Sequence, residues 1–249
     1  MTASNNSNFN TGVMQFMLPQ LTFNMSRIYP FAPKVGSKKG LVKNLAVGYN
    51  LNIVNSINTT EEDLFTSRMW DEAKNGARHR VDLNTGMTLG TYFPVTFNAG
   101  YEETWYLKTF EKYYDPIEEQ VSVLDQKGFD SFRTFNLGAS ISTNLYGTYL
   151  APDDKDALIK GIRHVISPTV GVGYRPDFGT EEWGYYDYYR GADGRKVLYS
   201  RFEGGYYGAP PTGKNASLNF GLRNNLEMKV RSKTDSTGYT KVKIFEYLD

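Results

Sequence analysis

The sequence contains no cysteine, and that absence removes two classes of site. Without thiols the chain forms no disulfide bonds and no thiolate metal centres. Its only histidines, His79 and His164, are too few for a three-histidine zinc site, and each is interpreted as a residue at the rim of a barrel. The formal net charge is +1, so the chain lacks the basic excess of a nucleic-acid-binding protein. We therefore expect no metal, and no nucleic acid among the partners.

Catalytic motifs are also lacking. The chain has no Gly-x-Ser-x-Gly nucleophile elbow and no pairing of a nucleophile with a base. Residues 208–215 approach a phosphate-binding loop, but the last position is Asn, and the pattern that follows is that of a strand rather than the required helix. A hairpin turn is the simpler interpretation. The sequence therefore predicts no catalytic residue, no cofactor and no enzyme activity.

No run of eighteen apolar residues occurs, so no transmembrane helix is expected. Alternation is present instead, most clearly over residues 215–231, where apolar and polar side chains take turns with one interruption at Asn224. Alternating side chains point to opposite faces of a strand. The pattern lasts about sixteen residues, whereas soluble strands usually have five or six. A long strand with one apolar and one polar face is typical of a wall between lipid and a water-filled lumen.

The same period of two recurs along the whole chain and predicts roughly nine or ten strands. The runs cover residues 21–29, 45–57, 78–89, 93–102, 135–145, 162–175, 197–207, 215–231 and 240–249. Some connections are tight, such as 90–92, and others are long and polar, at 59–76, 112–128 and 176–194. Residues 60–75 can form a short helix capped by Thr60. The expected fold is therefore all-β: an antiparallel, up-and-down transmembrane β-barrel, or part of one, with short turns at one end and long loops at the other.

Aromatic residues are abundant, with 19 Tyr and 15 Phe. Many stand where the alternating runs end, among them Tyr101 and Trp105, which favours rings at the membrane–water interface over general strand propensity. Residues 183–189 hold five rings, and they predict either a sugar-stacking platform or a packed loop that plugs or covers a lumen. We favour the packed loop, because five exposed rings would form an adhesive patch.

The alternation also predicts which side chains face which solvent. The polar positions would line the lumen, where water solvates their charges: Arg163, Arg175, Arg201, Glu203, Arg223, Glu227, Lys229 and Arg231. The apolar positions of the clearest strand would face lipid: Leu218, Phe220, Leu222, Leu226, Met228 and Val230. A lumen of mixed charge can guide an amphiphile with anionic head groups, although charge pairs across strands explain the same pattern.

Residues 162–178, which read I-R-H-V-I-S-P-T-V-G-V-G-Y-R-P-D-F, resemble the R-H-x-x-x-P strand of the LptD family of outer-membrane lipopolysaccharide-assembly barrels. Further similarities follow in the family's order at 21–31, 75–79, 101–106, 183–186, 199–203 and 224–230. The resemblance implies a large closed barrel in the cell outer membrane. It would receive lipopolysaccharide from periplasmic bridge proteins, hold a plug lipoprotein in its lumen and release its substrate into the outer leaflet.

The chain departs from that family in two respects. The family has a periplasmic β-jellyroll before its barrel and many more strands than the sequence predicts here. We therefore expect residues 1–249 to be a single barrel region, an internal fragment of a larger outer-membrane barrel with no second domain. Two other functions remain open: a porin or nutrient-receptor barrel, and a soluble β-protein that binds carbohydrate through its tyrosine-rich loop.

Overall fold

The computed structural model describes residues 2–8, 12–36, 40–151, 157–232 and 239–245. Within these ranges the chain is almost entirely β-structure. The strands are β1 (Thr2–Asn8), β2 (Val13–Ile28), β3 (Ala46–Thr60), β4 (Lys74–Leu89), β5 (Phe93–Asp115), β6 (Gln120–Ser142), β7 (Leu145–Leu150), β8 (Ile159–Arg175), β9 (Tyr186–Arg190), β10 (Lys196–Ser200), β11 (Asn215–Arg231) and β12 (Tyr239–Phe245). The helices are the five-residue α1 (Ser67–Asp71) and a 3-10 turn at Glu181–Trp183.

Ten of the strands form one antiparallel sheet, in the order β1-β2-β3-β4-β5-β6-β8-β11-β12, with β7 also pairing with β8. Strands β9 and β10 form a separate two-stranded sheet. Among the described residues β1 and β12 do not pair with each other, so the large sheet is open. The predicted all-β, antiparallel, up-and-down fold is confirmed, and the open sheet is consistent with a partial barrel. No helix in the described ranges is long and apolar enough to cross a membrane.

Strands β6 and β7 lie end to end along β8, with a break at residues 143–144. Leu137–Ser142 pairs with the C-terminal half of β8, and β7 pairs with its N-terminal half. Pro168 lies opposite the break and accepts a hydrogen bond at its carbonyl from the Thr143 N–H, 3.2 Å away. Proline has no N–H to return, so the ladder is interrupted at this point. The break therefore stands where the sequence placed a proline inside a strand.

Strands β5 and β6 continue well beyond their neighbours as a long hairpin. Each has 23 residues, whereas β8 pairs with β6 only over the last six residues of β6. The long polar loop predicted at 112–128 is therefore wrong: most of these residues belong to the hairpin, and its turn is only 116–119. Tyr113, Tyr114, Val121 and Val123 give this stretch a strand propensity that its charged residues obscure.

The predicted helix at 60–75 exists in a shorter form. Thr60 stays in β3 and does not cap a helix, because it still pairs with Val13 of β2. The helix begins only at Ser67, with Thr66 as its N-cap residue. Strand pairing of β3 therefore overrides the local helix signal at the start of this loop.

Residues 176–214 fold into a compact unit, called here the packed segment, that contains β9 and β10. The barrel strand predicted at 197–207 is wrong: only Lys196–Ser200 is a strand, it pairs with β9 alone, and residues 201–207 form turns. Gly204 and Gly205 explain the difference. A Cβ on Gly204 would lie 2.5 Å from the Phe110 ring, so only a residue without a side chain allows this close approach to β5.

The main hydrophobic core lies between the β5–β6 hairpin and the packed segment. It consists of five buried rings, Tyr106, Phe132, Phe178, Tyr185 and Phe202. The rings of Phe132 and Phe202 stand edge to face with centroids 5.1 Å apart, a favourable aromatic geometry. The packed segment therefore covers the end of the sheet from which the β5–β6 hairpin extends.

Asparagine and glycine alternate across β5 and β6 in a complementary way. Asn98 is opposite Gly138, and Gly100 is opposite Asn136. A Cβ on Gly100 would lie 2.5 Å from Asn136 Oδ1, and one on Gly138 would lie 2.6 Å from Asn98 Oδ1. Each asparagine side chain therefore lies over the glycine that faces it.

Replacement of Gly205 by alanine tests the close packing of the packed segment. The new methyl group would overlap the ring of Tyr106, and we expect a loss of about 1–3 kcal/mol in the free energy of unfolding. The matched control is Gly221→Ala in β11, where the nearest atom to the new methyl group is Thr169 Cβ at 3.8 Å. Thermal unfolding and limited proteolysis within 176–214 measure both variants. Equal stability of the two would contradict this packing.

Candidate functional site: the two faces of the sheet

The large sheet has one polar and one apolar face, because directly paired residues share a face and successive residues alternate. One transverse row of the polar face, from β2 to β6, is Asn24, Asn50, Arg80, Glu102 and Thr134. One row of the apolar face, from β4 to β11, is Leu83, Ala99, Leu137, Tyr174 and Ala216. The packed segment covers the polar face, since Tyr106 and Phe132 of its core lie on that side.

Strand β11 carries most of the predicted facing residues. Five of the six side chains predicted to face lipid lie on the apolar face of β11 and pair directly with residues of β8: Leu218, Phe220, Leu222, Leu226 and Met228. Val230 continues their alternation, and the polar positions between them are Arg223, Glu227, Lys229 and Arg231. Phe220 and Leu222 are 75% and 59% exposed, so nothing among the described residues covers them. The assignment of the two faces to lipid and lumen stays a prediction.

Strand β8 places Arg163 and Arg175 on the polar face. Arg163 is directly opposite Glu227, and Arg175 is opposite Asn215 at the end of the strand. An Arg175 guanidinium N–H donates to the carbonyl of Gly213, 3.3 Å away, in the connection that leads into β11. These two arginines therefore join the polar positions of β11 on one surface.

Arg201 and Glu203 lie away from that surface. They follow β10 in the packed segment, where Arg201 pairs with Asp130 at 2.9 Å and Glu203 pairs with Lys112. Both ion pairs connect the packed segment to the β5–β6 hairpin. The sequence placed these residues on a barrel strand because the period of two around them is real, but it belongs to the short β10.

An asparagine network on the polar face was missed by the sequence reasoning. Thr22 Oγ1 donates to Asn52 Oδ1 at 2.9 Å, and Asn52 Nδ2 donates to Asn50 Oδ1 at 2.6 Å. Asn50 in turn donates to Asn24. The signal was present, since asparagine stands at alternate positions of β3. The chain of amides links β2 to β3 without any net charge.

Tyr207 of the packed segment is anchored to the polar face at three places. Its hydroxyl donates to the backbone carbonyl of Asn52 at 2.9 Å. Its ring lies under the Arg78 guanidinium, 4.2 Å from the centroid, and its backbone N–H donates to the Tyr106 hydroxyl. Arg78 also pairs with Glu102 at 3.3 Å. Burial raises the pKa of the Tyr207 hydroxyl to about 12.

The raised pKa of Tyr207 predicts a loss of stability in alkali. The unfolded chain ionises this phenol near pH 10 and the folded chain near pH 12, so unfolding becomes more favourable as pH rises through that window. We expect Tyr207→Phe to reduce the fall in unfolding temperature between pH 10 and pH 12. At neutral pH the same variant lacks the hydrogen bond to Asn52, and its free energy of unfolding should fall by about 0.5–1.5 kcal/mol.

Thermal scans at several pH values compare Tyr207→Phe with Tyr188→Phe, since Tyr188 is well exposed on β9. An identical pH dependence of the wild type and the Tyr207 variant would show that this hydroxyl is not buried against β3.

The first half of the tyrosine-rich stretch is packed, as the sequence predicted, whereas Tyr188 is exposed on β9. Trp183 and Tyr186 pack against the buried core that contains Tyr185. The Tyr185 hydroxyl accepts a hydrogen bond from the Arg133 backbone N–H at 3.0 Å and donates to the Arg133 carbonyl at 3.3 Å. The packed segment therefore binds the free edge of β6, beyond the end of β8.

A cluster of polar groups interrupts the apolar face around Glu103. The Glu103 carboxylate accepts hydrogen bonds from Tyr101 Oη and Trp105 Nε1, both at 2.9 Å, and from the Arg133 guanidinium at 3.3 Å. The rings of Trp105 and His79 are 4.0 Å apart. We call these residues, together with Tyr49, the Glu103 cluster. The sequence drew attention to Tyr101 and Trp105 as rings near a strand end but missed the ion pair, because Arg133 comes from the next strand.

The two histidines lie apart, on strands β4 and β8. His79 Nδ1 is 2.8 Å from Tyr49 Oη, and His164 Nε2 is 2.5 Å from Asn224 Oδ1. In the parts of the chain that the structure describes, no group of three or more His, Asp or Glu side chains could hold a metal ion. Each histidine therefore has an ordinary hydrogen-bonding role within the sheet.

The orientation of β11 is tested by a pair of neighbouring substitutions. If the apolar face contacts lipid, Leu222→Arg costs about 2–4 kcal/mol near the membrane midplane and blocks assembly. Arg223→Leu, on the opposite face, should be milder. A heat-modifiability gel measures the folded fraction of each variant, and equal tolerance of both would refute the orientation.

The chain matches a known protein family over its whole length. The family model described as "LptD protein" matches residues 1–249, the whole chain. No curated protein and no solved structure matches the chain.

Proposed function

This chain belongs to the LptD family, and on that basis we propose that it forms part of an outer-membrane β-barrel that takes part in lipopolysaccharide transport. In this proposal the barrel strands deliver lipopolysaccharide for assembly into the outer leaflet. The observation that carries the proposal is the family match over all 249 residues, on a chain whose long strands have one apolar and one polar face. Such strands suit a wall between lipid and water.

The proposal assigns the two faces as follows. The apolar face, with Leu218, Phe220 and Leu222 strongly exposed, contacts membrane lipid. The polar face lines the lumen, where water solvates its charges. The packed segment then lies on the lumen side of the barrel wall, and it narrows the lumen at the level of the β5–β6 hairpin.

Basic side chains on the polar face are the proposed contacts for the transported lipid. Arg163, Arg175, Arg223, Lys229 and Arg231 lie on two neighbouring strands, β8 and β11. Lipopolysaccharide carries phosphate groups, and arginine binds phosphate through paired N–H donors. Glu227 stands among these residues opposite Arg163, so the surface is not uniformly positive and an anionic head group can leave as well as bind.

The partners in this proposal follow from family membership. A plug lipoprotein would occupy the lumen, and periplasmic bridge proteins would supply lipopolysaccharide from the opposite side. Neither alternative function gains support from a particular contact. A sugar-stacking platform needs exposed rings, whereas Trp183, Tyr185 and Tyr186 are packed in or against the core.

Neutralising the basic surface tests the proposed lipid path. In cells that depend on the variant, we expect the triple change Arg175→Gln, Arg223→Gln and Lys229→Gln to lower the delivery of newly made lipopolysaccharide to the cell surface severalfold. The control is Arg195→Gln, which changes an exposed arginine in the turn between β9 and β10. Heat-modifiability of both proteins confirms folding.

Two outcomes would contradict the proposal. Unchanged delivery by a folded triple variant would remove these residues from the lipid path. Normal surface lipopolysaccharide in cells depleted of the whole protein, together with ion conduction by the purified protein in planar bilayers, would favour a porin.

A further inference from the structure

The apolar face has a groove in the middle of the sheet. Its volume is about 480 Å³, and its walls are Leu83, Phe97, Leu137, Val172 and Tyr174. The floor is formed by Ala99 and Ala139, which are diagonal neighbours on β5 and β6. Two small side chains among larger ones leave a depression that a hydrocarbon chain can fill.

The Glu103 cluster lies further along the same two strands. Glu103 is four residues beyond Ala99, and its partner Arg133 is four residues from Leu137. At about 3.3 Å per residue, the cluster lies about 13 Å along the strands from the near end of the groove at Ala99 and Leu137. From Arg133 to the far end of the groove at Ala139 the distance is about 20 Å. Half of a bilayer's hydrocarbon core is about 15 Å thick. A lipid whose head group sits at the cluster therefore reaches the groove with its acyl chain.

The charges of the cluster select the head group. Glu103 is only 20% exposed and already accepts hydrogen bonds from three donors, so its carboxylate is poorly placed to bind an ammonium group as well. Arg133 is 59% exposed and uses one guanidinium nitrogen for Glu103, which leaves further N–H donors directed away from that carboxylate. Guanidinium donors suit a phosphate oxygen. Tyr101 and Trp105 beside it are ring types that prefer the membrane interface.

The backbone of Arg133 is fixed as well. The Tyr185 hydroxyl holds both its N–H and its carbonyl, and Glu103 holds its side chain. The guanidinium is therefore presented from a rigid position rather than from a mobile loop, so binding a ligand there orders fewer groups.

We propose that the apolar face binds one membrane lipid, with its phosphate head group on Arg133 and an acyl chain in the groove floored by Ala99 and Ala139. The site faces away from the polar face and is distinct from the basic surface of β8 and β11. It rests on the membrane placement in the proposed function, but not on the identity of the transported lipid.

The experiment uses the full protein in lipid nanodiscs with two spin-labelled probes, phosphatidylglycerol and a diacylglycerol with the same chains but no phosphate. We expect the wild type to immobilise phosphatidylglycerol in preference to diacylglycerol. Arg133→Gln should reduce this preference roughly three- to fivefold, the size expected of an exposed charge contact. Arg133→Lys, which keeps the charge, should retain part of it.

The groove is tested separately by Ala139→Leu, which fills its floor and should reduce immobilisation of both probes. The matched control is Ala216→Leu, the same change on an exposed position of the apolar face outside the groove. Heat-modifiability establishes that each variant is folded.

Each outcome decides the matter. Equal immobilisation of the two probes by the wild type, or an unchanged preference in Arg133→Gln, overturns the lipid site while leaving lipopolysaccharide transport untouched. Selective binding by a protein that delivers no lipopolysaccharide would overturn the proposed function alone. Failure of the folded protein to enter bilayers would overturn both.

Discussion

The backbone of β6 beyond its pairing with β8 is the constraint on which the rest of this structure depends. Residues 120–136 have β5 on one side and no strand on the other, so their outward N–H and carbonyl groups need other partners. At Arg133 a single tyrosine hydroxyl serves both groups, donating to one and accepting from the other. Tyr185 thus takes the place of a residue in a neighbouring strand.

That substitution explains why the chain between β8 and β11 is not a simple turn. The packed segment must bring Tyr185 to the edge of β6, bury Phe178 and Phe202 against the sheet and return in register to β11. The ion pairs of Arg201 with Asp130 and of Glu203 with Lys112 also hold the packed segment to the β5–β6 hairpin. The core of this protein consequently lies on the polar face at one end of the sheet, and large side chains of the apolar face stay exposed. An exposed apolar face is costly in water and favourable in lipid, which agrees with membership of an outer-membrane family.

The alternation of side chains made the sheet predictable, and its failures have physical causes. Residues 215–231 form one strand whose apolar and polar side chains lie on opposite faces, because a period of two over so many residues has no other regular solution. Residues 197–207 show the same period, but close packing at Gly204 and Gly205 turns the chain after Ser200. The Glu103–Arg133 pair joins two strands across thirty positions of sequence, and nothing local indicates it. Tertiary partners, rather than propensity, decide such contacts.

The facing asparagines and glycines of β5 and β6 bear on how the hairpin finds its alignment. A shift of two residues in one direction would place Asn98 against Asn136, and a shift in the other would place Gly100 against Gly138. The first shift crowds the two asparagine side chains into the same space. The second shift leaves a gap where the two glycines face each other. Misaligned pairings therefore lose contacts at this point, even though the apolar residues would still fall on the correct side. Over evolutionary time these four positions should change together, each asparagine in step with the glycine beneath it.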